Sequence, residues 1–165
     1  HRMKIYIYDS RTISHGEAVM VLEASKLLNQ GATMPEIITQ ITALRQKMTN
    51  YMTVDNLKTM IRTKRISAPA GFFANLFDIK PIVYLDDSGR IIPFEKVRSF
   101  DKCILRLAEI VVDEVKGKKG QMYLMSGQLN PYIKPFTMHL AQRGYAYLPV
   151  KPNESVTLDN RGVFA

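Results

Sequence analysis

The sequence has a single cysteine, Cys103, and no tryptophan among its 165 residues. One thiol excludes an internal disulfide and a thiolate zinc cage within the chain. Reducing cytoplasm is the expected compartment. No apolar run approaches the roughly 20 residues that a membrane-spanning helix needs, so no membrane span is expected. The opening residues lack the charged, apolar and small segments of a secretory signal in that order. A Gly-rich phosphate loop, a nucleophile elbow and a metal-spaced histidine pair are also missing. Without a convergent nucleophile, base and oxyanion set, the chain reads as a non-enzyme with no catalytic residue, metal or cofactor.

What is present is ordinary globular material, 46% apolar. The unusual bulk property is charge. Lys and Arg number 23 against 15 Asp and Glu, a net charge of +8. That sign favours anionic partners. The longest basic cluster is Lys116/Lys118/Lys119, and no aromatic residues interleave with it as a stacking platform for nucleic acid would require. Nucleic acid is therefore not the expected partner. A basic interaction domain for nucleic acid or an acidic protein stands as the alternative reading.

The opening reads as strand, loop, helix, helix. Ile5–Tyr8 is a short β-branched and aromatic run. Ser14-His15-Gly16-Glu17 and Thr33-Met34-Pro35-Glu36 both have capping-box spacing, and Gly31 is a helix stop between them. Ile37, Ile38, Ile41, Leu44 and Met48 then recur at helical spacing. An opening strand without sheet neighbours leaves edges that recruit partners, so self-association is expected.

A second pattern starts near Met48–Asn50. Tyr51–Val54 reads as a strand and Asp55 as the cap of a short helix. A basic turn follows, Arg62-Thr63-Lys64-Arg65, and Ser67-Ala68-Pro69 opens another short helix. Ile79–Asp86 and Arg90–Val97 are strands about a turn at Asp87-Ser88-Gly89. Phe100–Val115 is the clearest amphipathic helix, and it holds Cys103 as a packing residue. A strand at Met122–Met125, a helix at Pro131–Arg143 and a strand at Tyr145–Val150 follow. The tail from Asn153 is ambiguous. The fold class is mixed α/β (α+β), with a mixed sheet covered by helices, two layers deep.

Two places invite chemistry. The loop Asp9–Gly16 joins a strand end to a helix start, where open α/β sheets bind ligands; Ser10, Thr12, Ser14 and Gly16 are its candidates. A capping loop explains the same residues. The second place runs from Arg62 to Asp78. Small residues there leave a slot, aromatics line it and cations stand at its mouth, which suits a long apolar molecule with an anionic end. Its candidates are Arg65, Ile66, Ser67, Ala70, Phe72, Phe73, Leu76 and Ile79. An ordinary core helix explains that spacing too. His15 and His139 read as structural histidines, and Asp86-Asp87 as turn residues.

These segments resemble the DegV family. The likeness is carried by Tyr8-Asp9-Ser10-Arg11-Thr12-Ile13-Ser14-His15-Gly16-Glu17, by Val54-Asp55-Asn56-Leu57, by Arg65-Ile66-Ser67, by Asn75-Leu76-Phe77-Asp78-Ile79-Lys80-Pro81-Ile82 and by Pro93-Phe94-Glu95-Lys96-Val97-Arg98. The resemblance implies a fatty-acid-binding module that holds a long-chain fatty acid or other lipid and presents it to a fatty acid kinase. It also implies a piece of a two-domain protein. Residues 1–48 would be the closing strand and helices of a three-layer α/β domain, and 49–165 a two-layer domain. The family's tail loop carries a histidine that meets the carboxylate. The corresponding tail here, Pro152–Gly162, has none, and Thr157 stands nearest in an ungapped comparison.

Overall fold

The computed structural model describes residues 3–54, 57–66, 79–116, 123–126, 131–145, 148–149 and 162–164. Two helices come first. α1 is Ser14–Asn29 and α2 is Met34–Arg45. α1 ends in a Schellman motif. The Ala32 N–H reaches the Leu27 carbonyl at 3.0 Å, and Gly31, at φ +86°, donates to Leu28 at 2.9 Å. At α2 the expected capping box is recognisable, with Glu36 accepting the Thr33 N–H and hydroxyl, both at 2.7 Å. The helices bury Met20, Ile37 and Ile41 against each other, a cluster separate from the sheet's own.

Two expectations fail in this region. Ile5–Tyr8 is not a strand, and residues 3–13 form no regular element. Strand backbone needs a ladder partner, and among the described residues none pairs with this segment. Ile5 and Ile7 are left exposed. Ser14 is not the cap of α1 either. The cap position falls on Ile13, and Ser14 is already in the helix with φ +53°. Glu17 instead takes a hydrogen bond from the Ser10 hydroxyl, seven residues back.

The rest of the described residues form a six-stranded sheet with helices. Its strands are β1 (Tyr51–Val54), β2 (Ile79–Leu85), β3 (Ile91–Arg98), β4 (Tyr123–Ser126), β5 (Leu148–Pro149) and β6 (Gly162–Phe164). Their order is β3-β2-β1-β6-β4-β5. All neighbours are antiparallel except β4 and β5, so the sheet is mixed as expected. β6 lies between β1 and β4 and joins the two halves. Successive side chains of a strand face opposite ways. Tyr51 and Ile82 face α4 (Phe100–Val115), which buries Ile104, Leu107, Ala108 and Val111 over them, with Phe136 and Leu140 of α5 (Ile133–Gln142) alongside. Met52, Val54, Val83 and Leu85 face the other way, under Leu57, Met60 and Ile61 of the α3 region and Ile66; α3 itself is Lys58–Arg62.

Cys103 is a packing residue, as expected. Its Sγ lies 3.1 Å from the Thr53 hydroxyl, which donates to the Pro81 carbonyl at 2.8 Å. Burial pushes the thiol pKa up. The β2–β3 ladder shifts register between Ile82 and Val83, leaving Phe94 as the extra residue of a bulge. Pro81 and Pro93 flank this point and supply no N–H to the ladder.

Candidate functional site

Of the eight residues expected to line the slot, three are described. Arg65 is exposed just after α3. Ile66 is buried beside Val54 and Val83 and bridges to Ile91. Ile79 opens β2, half-buried and opposite Arg98. Ile66 and Ile79 are not neighbours. Ile91 pairs with Leu85 at one end of β2 and Ile79 stands at the other end, about 20 Å away at roughly 3.3 Å per residue. Ser67, Ala70, Phe72, Phe73 and Leu76 lie outside the described residues.

The turn that leads to Ile66 is well made. Lys64 donates to Ile61 at 3.0 Å and Arg65 to Met60 at 2.8 Å, a second Schellman motif. Its left-handed position falls on Lys64, at φ +54°, rather than on a glycine. Arg62, Lys64 and Arg65 are all exposed.

The loop candidates come together more closely. Asp9 accepts the Arg11 N–H at 3.1 Å, and Arg11 has φ +50°. The Asn50 amide donates to the Thr12 hydroxyl at 3.4 Å. Gly16 is buried against Thr12, and a methyl group there would overlap the Thr12 hydroxyl. Gly89 lies against the same loop from the β2–β3 turn. A methyl group on it would stand 2.9 Å from Arg11 Cα. In that turn Asp86 accepts the N–H groups of Ser88 and Arg90, each at 2.9 Å, and pairs with the Arg90 guanidinium at 3.0 Å. These bonds, the Ser88 hydroxyl foremost, hold its carboxyl well below the usual range. Asp86 thus does turn work, as expected.

His15, at the start of α1, has a buried Nδ1 without a hydrogen-bond partner among the described residues. Burial lowers its pKa, so the neutral imidazole is the form the fold holds at neutral pH. Sequence reasoning missed Arg45. It sits on the buried stripe of α2 after Ile37 and Ile41, at four-residue spacing, and is itself only 7% exposed. That spacing was the available signal. Among the described residues there is no group of three metal-ligating side chains, and no helix long and apolar enough to cross a membrane.

Comparison with known proteins gives consistent results. The family described as "Uncharacterised protein, DegV family" matches residues 1–153. A DegV domain-containing protein of Clostridium acetobutylicum is 35% identical over 135 residues, covering 82% of this chain and 48% of that protein. Protein DegV of Bacillus subtilis is 32% identical over 111 residues, covering 67% and 39%. The chain thus spans about half, or less, of the curated relatives it matches. A fatty acid binding DegV family protein of Thermus thermophilus has the same fold at TM-score 0.79 and 20% identity, over 96% of this chain and 59% of that one. The fatty acid kinase B3 protein of Streptococcus pneumoniae, solved with linoleic acid, superposes at TM-score 0.74 and 18% identity, over 98% and 58%.

Proposed function

The chain belongs to the DegV family, and from that premise we propose that it is the acyl-holding part of a fatty-acid-binding protein. It carries a long-chain fatty acid without converting it, and presents it to a fatty acid kinase in the cytoplasm. The observation that carries this reading is the match, over nearly the whole chain, to solved DegV structures described as fatty acid binding. Residues 1–48 are then the end of a first domain and 49–165 the second.

The slot is assigned to Arg65, Ile66, Ser67, Ala70, Phe72, Phe73, Leu76 and Ile79. Each methylene of an acyl chain that leaves water gains about 0.8 kcal/mol, so an apolar slot binds tightly without covalent chemistry. Small residues at Ser67 and Ala70 leave room, and the aromatics supply contact area. Arg65, exposed beside buried Ile66, faces the anionic end. Ser10, Thr12, Ser14 and Gly16 form the second wall. The test is titration of oleate against the full-length protein and its Ala70→Leu variant. Wild type binds one oleate per chain, and the variant stays folded but loses binding. Equal binding by both places the slot elsewhere; binding by neither refutes the reading.

A further inference from the structure

We propose that Arg45 is a positioning residue for the loop wall of this site: its buried guanidinium clasps loop 9–13 onto the β2–β3 turn. The part of the proposal that concerns the ligand rests on the fatty-acid reading; the clasp itself rests on geometry. The Arg45 Nε and Nη2 donate to the Arg11 carbonyl at 3.1 and 2.9 Å. Nη2 also donates to the Asp86 carbonyl at 3.0 Å, and Nη1 to that of Met48 at 3.4 Å. All the described partners are main-chain carbonyls, and none is a carboxylate.

A buried cation whose described partners include no carboxylate is expensive, so its presence calls for a reason. Here the reason is geometric. Three carbonyls from three separate segments must be held at once. Only a planar fork of five N–H donors can do this; an ammonium at the same place cannot span them.

Two further observations converge on the same loop residue. Arg11 adopts a left-handed conformation that a non-glycine residue avoids unless its surroundings impose it. Gly89, at φ +79°, lets the turn approach the Arg11 backbone to a distance that no side chain would tolerate. Arg45 therefore sets where Ser10 and Thr12 stand relative to the sheet, without itself being the group that meets the ligand. It also ties the α1–α2 pair to the sheet, because α2 carries it and Asp86 receives it.

The test is residue-resolved hydrogen exchange, together with oleate titration, on wild type, Arg45→Lys and Gly89→Ala. Arg45→Lys keeps the charge and loses the fork. Gly89→Ala pushes the loop away while leaving Arg45 in place. The clasp predicts at least tenfold faster exchange at the Arg11 and Gly16 amides in both variants. The amides of Met52 and Val83, in β1 and β2, stay within twofold of wild type. It also predicts at least a tenfold loss of oleate affinity in both. Unchanged exchange at Arg11 and Gly16 overturns the clasp. Acceleration spread evenly over β1 and β2 reduces Arg45 to a general stabiliser and overturns it as well. Faster loop exchange with unchanged oleate affinity overturns the positioning role. A wild type that binds no oleate refutes the fatty-acid reading instead, and the exchange pattern still decides the clasp.

Discussion

Lys64 occupies a left-handed position that ends α3, where glycine carries no Cβ penalty. Lys64→Gly is expected to raise stability by about 1 kcal/mol in urea unfolding, the scale of the penalty relieved; a loss of stability contradicts this account of the turn. His15 gives a pH dependence. Its folded pKa lies below the ordinary 6.5, so the unfolded chain takes up that proton first and stability falls as pH drops below about 6.5. Glu36 and Asp86 act later. Hydrogen bonds, chiefly from the Thr33 and Ser88 hydroxyls, lower both carboxyls. Their contribution is present above the ordinary carboxylate pKa and is lost as pH falls through the lowered one. Stability, read by unfolding from pH 7 to pH 3, is expected to fall in two stages, and His15→Gln to remove the first. A flat wild-type curve between pH 7 and pH 5 contradicts this. Legibility at this scale was uneven. Thr33 and Glu36 could be read because their bonds close within one turn. Ser14 could not, because Ser10 reaches Glu17 from outside the helix. Arg45 could be read only as a buried position, from its spacing after Ile41, because its partners are carbonyls gathered by the tertiary fold.

Among the elements, β1, the β2–β3 hairpin and α4 follow directly from sequence periodicity, α4 to its very ends. β6 was not legible. Three residues in an ambiguous tail carry no period, yet they fill the centre of the sheet. Thr53 of β1 pairs with Val163, which pairs in turn with Ser126 of β4. Val163→Pro removes an N–H from that seam. The expected result is loss of exchange protection in β4 and at the β1 edge, with the β2–β3 hairpin still protected. Equal protection in the variant shows that the seam does not hold the halves together. On the helical side Ile104 is fully buried against the sheet. Ile104→Ala is expected to cost about 2–5 kcal/mol, read by thermal or urea unfolding.

At the scale of the molecule, apolar exposure among the described residues is concentrated in the first third of the chain. Met3, Ile5, Ile7, Val21, Leu22 and Leu28 are all exposed. Surfaces of that kind mark contact sites, and residues 3–165 alone are expected to self-associate in sedimentation velocity, with Leu22→Glu shifting the boundary towards monomer. A monomer at every concentration contradicts that expectation. The fold class was legible because mixed strand and helix periods run through most of the chain. The proposed slot rests on residue types in order, since a wall is made by packing and not by spacing. Whether this protein carries a fatty acid is read by native mass spectrometry of the full-length protein purified from cells, followed by denaturing extraction of its lipid. The expected result is one long-chain fatty acid per chain, released on denaturation. A bare polypeptide mass, even after incubation with excess fatty acids of every chain length, would contradict it.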